Sequence, residues 1–248
     1  MAHVPVLLIH GFPFDHFLWR HQLAALSDRD CLAPDLRGAG ANRAEQDTEF
    51  SMAAYASDLL QELDRAKIAR AVICGLSMGG YVAFELLRRA PERVHALVLC
   101  NTKAEADSPE ARRGRDALAA RAERDGARAV AVELVPRLLA RGTYEGRLDI
   151  VREVSDMIAR QSVPGIVGAL HALRDRPDST ALLREIRVPV LVVAGDDDQI
   201  APAPLMREMA RRISGARFAV VAGAGHVSPL EQPEAVSRLL RDFLSEVG

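Results

Sequence analysis

Along the chain, short and nearly unbroken apolar runs alternate with stretches whose apolar residues recur every three or four positions. The runs lie at 4–9, 30–33, 71–74, 96–100, 188–194 and 218–221. They do not alternate apolar with polar, and strands read this way when both faces of a parallel sheet are covered. The stretches between them predict helices over 18–26, 52–64, 78–89, 203–213 and 233–246. Ser51, just ahead of "MAAYASDLLQEL", has the chemistry of an N-cap: its oxygen can accept from a free amide of the first turn. Alternation of this kind predicts an α/β protein with an open, mostly parallel, doubly wound sheet of about six strands.

The alternation stops between 101 and 183. Ser108 and Pro109 read as an N-cap followed by proline at the first helical position. Leu134 with Leu138, Val135 with Leu139, Val151 with Val154 and Ile158, and Ile166 with Leu170 recur at helical spacing. Gly142 and Gly146 read as a turn. The expectation is a core of residues 1–100 and 184–248 and a helical cap of about four helices over 101–183. Open α/β sheets bind ligands beyond the carboxyl ends of their strands, so an insertion there would cover the site.

Composition narrows the partners. The 248 residues carry 32 Lys and Arg against 34 Asp and Glu, a formal net charge of −2, so nothing draws the chain to nucleic acid or an anionic membrane. No segment is long and apolar enough to span a bilayer, and the amino terminus lacks a basic region with a small-residue cleavage site. A soluble, cytoplasmic protein is expected. Cys31, Cys74 and Cys100 lie in or beside apolar runs, and their odd number speaks for buried free thiols in a reducing compartment. Histidines and cysteines show no metal-ligand spacing, and "HGFPFD" lacks the second and third glycines of a dinucleotide fingerprint, so no metal and no cofactor are expected. The partner expected is a small molecule; the oligomeric state stays open.

The chemistry centres on "AVICGLSMGG", residues 71–80. A strand must turn sharply there into a helix, which forces the tip residue into an unfavourable backbone region at a cost of roughly 1–3 kcal/mol. Glycines at 75 and 79 remove side chains that would collide across the turn. Ser77 is lifted out at the sheet edge, and the Met78 amide sits at a helix N-terminus, where developing negative charge is stabilised. This is the G-x-S-x-G nucleophile elbow, and a strand before it and a helix after it are the context it requires.

A serine hydroxyl needs a base, and the base an orienting acid. Of seven histidines, His171 and His226 follow the fourth run; His171 falls in the helical insertion, whereas His226 lies in the glycine-rich "VVAGAGHVSPLEQP" after the last run. His226 is the candidate base. "VLVVAGDDDQIAP" offers Asp196, Asp197 and Asp198; Asp198 is the choice, and its neighbours read as turn-formers. A second oxyanion donor is expected from the Phe12 amide, beside Gly11, with His10 read as a structural histidine joining loops.

These residues together resemble the α/β-hydrolase superfamily, over essentially the whole chain. "HGFPFDHFLW", "APDLRGAG", "GLSMGGYVAFELLRRAPERVHALVLCNT", "VPVLVVAGDDDQIAP" and "GAGHVSPLEQP" look like family blocks in the family order. The resemblance implies Ser77 as nucleophile, Asp198 by the G-x-x-D pattern from Gly195, and His226 by the G-x-G-H pattern. It implies Phe12 and Met78 as oxyanion donors, and a cap between the sixth and seventh family strands. Within the superfamily the chain looks most like small bacterial esterases and enol-lactonases. Two departures stand out: the first run is expected to correspond to the family's third strand, with the leading antiparallel hairpin absent, and Asn42 stands where many relatives carry serine, in a loop read as structural. Serine at 77 excludes the relatives with an aspartate nucleophile, and Met78 differs from the tryptophan usual in proline iminopeptidases. A charged insertion suits a small soluble substrate better than a lipid droplet.

The expected activity is hydrolysis of a small carboxylic ester or lactone through an acyl-enzyme. The base must start neutral, so the rate should rise through roughly pH 6–7. The same residues would also serve a perhydrolase, a C–C bond hydrolase or a slow-turnover ligand sensor, and the sequence does not separate these.

Overall fold

The structure, a computed structural model, describes residues 3–42 and 49–248. Residues 1–2 and 43–48 of the expected core therefore lie outside the described residues. The chain runs through β1 (Val6–Ile9), a 3-10 turn at His16–Trp19 that leads into α1 (Arg20–Ala25), β2 (Cys31–Leu32), α2 (Met52–Arg65), β3 (Ala71–Leu76), α3 (Met78–Arg89) and β4 (Val94–Cys100). Five helices follow: α4 (Pro109–Asp125), α5 (Ala127–Leu138), α6 (Arg141–Gly146), α7 (Leu148–Ala159) and α8 (Val163–Arg174). The alternation then resumes with β5 (Val190–Gly195), α9 (Ala203–Arg211), β6 (Arg217–Val221), α10 (Ser228–Glu231) and α11 (Pro233–Val247).

Among the described residues the six strands form one sheet in the order β2-β1-β3-β4-β5-β6, and every neighbouring pair is parallel. All residues of β1, β3 and β5 are buried, as their unbroken apolar runs require. The edges are short or partly exposed: β2 has two residues, and β6 buries only Val221 fully. Prolines set two boundaries. Pro5 and Pro189 have no N–H to give to the ladder, so β1 begins at Val6 and β5 at Val190, two residues later than the apolar runs. Their carbonyls still accept, from Val72 and Leu97, at 2.9 Å each.

Two caps hold as the sequence anticipates. Ser51 Oγ accepts from the Ala54 amide at 3.0 Å, and Ser108 Oγ from the Ala111 amide at 3.2 Å with Pro109 first in α4. The insertion differs in one respect. Residues 141–146, expected as a turn, form α6, which makes five helices rather than about four. The Asp197 carboxylate accepts from the Arg141 amide at 2.7 Å at its N-terminus, and Arg141 pairs with Glu145 one turn on. Within the insertion α4 packs on α8 and α5 on α7.

The strand order reverses between β1 and β3. Right-handed crossovers then put α1, which packs on α11, on one face and α2 and α3, which pack on each other, on the other. The crevice at the carboxyl ends of β1 and β3 is the switch point of this sheet, where doubly wound folds bind ligands.

Candidate active site

Ser77 lies one residue past β3, at this switch point. Its backbone is held at φ 54°, ψ −113°, a strained combination for a residue other than glycine. The packing is visible in the glycines. A Cβ on Gly75 would stand 2.3 Å from the Gly79 carbonyl oxygen, and one on Gly79 would stand 2.3 Å from that of Ile9. Ser77 is also pinned through its own main chain: its amide donates to Cys100 O at 2.9 Å, and its carbonyl accepts from Thr102 Oγ1 at 2.8 Å.

Serine at the N-cap of a helix commonly accepts from the first turn. Ser77 makes no such bond. Its hydroxyl lies 2.8 Å from His226 Nε2 instead. On the far side of the ring, His226 Nδ1 is 2.8 Å and 3.0 Å from the two carboxylate oxygens of Asp198. A ring nitrogen between two carboxylate oxygens carries the proton, so Nδ1–H donates to Asp198, and Nε2 accepts from the serine hydroxyl. The structure thus brings together Ser77, His226 and Asp198 from the carboxyl ends of β3, β6 and β5.

Asp198 is buried and rich in donors. Oδ1 accepts from the amides of Ile200 and Ala201 at 2.8 and 3.0 Å, and Oδ2 from Asn101 Nδ2 at 2.9 Å. Burial pushes its carboxyl up, but the charge and hydrogen bond of His226, with the Ala201 and Asn101 donors, outweigh that and hold it at about 2. Asp196 and Asp197 are exposed and serve main-chain amides, of Ala224 and Arg141 respectively. His171 is exposed on α8. His10 is buried and joins two loops: Nε2 accepts from the Leu36 amide at 3.0 Å, and Nδ1–H donates to Gly11 O at 2.9 Å. Burial pushes its basicity down. Asn42 bonds within its own loop, to Asp35 O.

Two side chains that the sequence reading passed over complete this arrangement. Asn101, just after β4, has φ 46° and is fully buried. Besides Asp198 it donates to Gly225 O at 3.0 Å and accepts from Ser228 Oγ at 2.6 Å, so it ties the acid to the histidine loop. Glu231, five residues after His226, is buried as well. Oε1 accepts from the amides on either side of the histidine, Gly225 at 2.9 Å and Val227 at 3.2 Å, and Oε2 from the Ala140 amide at 2.7 Å. Burial pushes the Glu231 carboxyl up, against the pull of these bonds. The His226 amide itself donates to Leu138 O at 2.8 Å. The segment between α5 and α6 is therefore stitched to the histidine loop.

Beside the elbow lies a narrow cavity. Phe12, Phe14, Leu36 and Met78 line it from the core, and Ile166 and Ala169 from α8. Trp19 is fully buried in the core and does not line it. Neither the Phe12 nor the Met78 amide is hydrogen-bonded to another described backbone group. Cys74 and Cys100 are buried free thiols, whereas Cys31 is half-buried.

One group among the described residues, Asp15, His16 and Asp35, brings three possible metal-ligand atoms within 4.8 Å of one another. Its oxygens are already engaged. Asp35 accepts from the His16 and Ala41 amides and from the His16 ring, and Asp15 from Arg160 and Gln161. With a guanidinium on one carboxylate, the set is built as a hydrogen-bonded corner. Among the described residues no helix is long and apolar enough to cross a membrane.

Comparison with known proteins agrees with the fold. The family described as alpha/beta hydrolase fold matches residues 4–233. A thermophilic esterase from Thermogutta terrifontis, solved with malate bound, superposes with a TM-score of 0.95 at 38% identity, covering 99% of this chain and 91% of that one. The enol-lactonase from Burkholderia xenovorans LB400 superposes with a TM-score of 0.89 at 30% identity, covering 99% and 92%. The 3-oxoadipate enol-lactonase 2 of Acinetobacter baylyi is 28% identical over 219 residues, 88% of this chain and 80% of that protein.

Proposed function

The chain belongs to the alpha/beta hydrolase fold family, and from that premise we propose that it is a serine hydrolase of small carboxylic esters or lactones. The observation that carries the reading is the unbroken hydrogen-bonded line from Ser77 Oγ through His226 to Asp198, with 2.8 Å contacts on either side of the ring.

In this reading Ser77 Oγ attacks the substrate carbonyl as its proton passes to His226 Nε2. Asp198 holds the Nδ1 proton and stabilises the imidazolium that forms. The oxyanion is received by the amides of Phe12 and Met78, the latter at the positive end of α3. The same proton then goes to the departing alkoxide, which leaves as an alcohol or stays tethered when a lactone ring opens. Water attacks the acyl-enzyme with His226 as its base, and the acid is released. The strained backbone of Ser77 serves this chemistry by keeping the hydroxyl off its own helix amides. Residues 1–100 and 184–248 act as the catalytic core and 101–183 as the cap. The free thiols suit a reducing compartment, and we place the enzyme in the cytoplasm.

Hydrolysis of p-nitrophenyl acetate and butyrate by the native protein and by Ser77→Ala, side by side, tests the reading. The variant should lose roughly four to six orders of magnitude in kcat. Turnover that survives in the variant rejects Ser77 as nucleophile.

A further inference from the structure

Among the described residues, the cavity beside the elbow has one unspent polar group. Three of its polar lining side chains are committed to protein partners. Both ring nitrogens of His10 are bonded. Arg37 holds Asp58 with two contacts of 2.6 and 2.7 Å and also donates to Glu49 O. Gln161 accepts from the Gly40 amide and donates to Asp15 and Met157 O. Tyr55, from the first turn of α2, is the exception. Its side chain is fully buried, and its hydroxyl has no hydrogen-bond partner among the described residues. Among the described residues several other buried polar atoms also lack partners, but none of them belongs to a residue that lines this cavity.

The cavity also lies next to the reacting centre. Phe12 and Met78 line it, and so does Gly11, where an added Cβ would stand 3.2 Å from Ser77 Cβ. Tyr55 lines it as well, and its ring packs edge-on against Phe50, with centroids 6.3 Å apart. A buried hydroxyl without a partner is destabilising, and structures keep few of them without a reason.

On the reading of Ser77 as nucleophile, we propose that this cavity takes the acid half of the substrate, and that the Tyr55 hydroxyl donates a hydrogen bond to an oxygen carried on it. The substrate class is then an ester or lactone whose short acyl chain bears an ether, keto or hydroxyl oxygen a few atoms beyond the carbonyl. The acid half is the one that stays bound through both steps, so a formed pocket serves it best. Burial pushes the phenol's acidity down, so the hydroxyl is a neutral donor throughout the working range.

Isosteric pairs test this without dependence on intrinsic reactivity. For p-nitrophenyl esters, methoxyacetate is compared with butyrate, and 3-methoxypropionate with valerate, in the native enzyme and in Tyr55→Phe. The ratio of kcat/KM for the oxygenated member over the alkyl member should fall about 3- to 10-fold in Tyr55→Phe for at least one pair, the size of one neutral hydrogen bond. Ratios that stay within about twofold of the native values for both pairs, the rates falling together or not at all, overturn the proposal and leave a packing or water-binding role. Butyl acetate against 2-methoxyethyl acetate places the same oxygen on the alcohol side; a fall there instead of on the acid side overturns it too. Ser77→Ala runs alongside: turnover lost there with unchanged Tyr55→Phe ratios rejects this pocket assignment alone.

Discussion

Helix α3 buries ten of its twelve residues, whereas helix α4 of the insertion buries three of seventeen, and the two differ accordingly in what they tolerate. Around the elbow Gly75 and Gly79 sit hard against main chain, and the backbone of Ser77 sits where a lone chain would not leave it. In α4 the side chains meet mostly solvent, and Gly114 has nothing within 4 Å of where a Cβ would stand. The lesson is a division of labour. The carboxyl edge of the sheet needs fixed geometry, and obtains it from close approach of main chain to main chain. The insertion meets the rest of the fold through α8 at the cavity, residues 138–141 at the histidine loop and Asp197, and Arg160 and Gln161 at Asp15.

The comparison can be broken, and the largest expected effect lies at the fixed edge. Asp198→Asn should lower kcat by about 10⁴ with the fold retained, because the amide favours the wrong tautomer of His226. The same variant should alter the acid limb of stability. The folded carboxyl is held at about 2 against 3.8 when free, so its ionised form stabilises the fold above about pH 4. That contribution, on the order of 2 kcal/mol, is lost as pH falls through about 2, and Asp198→Asn should not show this loss. Urea midpoints between pH 5 and pH 2 measure it.

Next in size is a paired substitution of glycine. Gly79→Ala drives a methyl against the Ile9 carbonyl oxygen and should cost on the order of 3 kcal/mol, with Ser77 displaced. Gly114→Ala adds the same methyl in open space on an exposed helix and should stabilise by up to about 1 kcal/mol, leaving turnover unchanged. Thermal midpoints and ester turnover of the two variants check both. Equal effects at the two glycines would abolish the contrast.

The strands were legible because a doubly covered sheet leaves an unbroken apolar run, and the elbow because its glycines are local to the turn. What stayed hidden depends on distant partners. Residues 141–146 read as a turn because Asp197, 56 positions away, is what receives the first amide of α6. Asn101 and Glu231 look like loop polar residues until the fold brings them to Asp198, 97 positions on, and to the Ala140 amide, 91 positions back. Tyr55 reads as one apolar position of an amphipathic helix, and only its unpartnered hydroxyl beside the elbow cavity sets it apart.

The central claim is that Ser77 is a nucleophile driven by His226 and Asp198, and the most direct measurement is to trap it. The native protein is treated with a fluorophosphonate, its intact mass is read, and the modified peptide is mapped. The account predicts one adduct per chain, on Ser77, formed in step with loss of ester turnover and slowed by orders of magnitude in His226→Ala. Ester turnover that persists in the unmodified, fully treated protein, or an adduct on another residue, would contradict it.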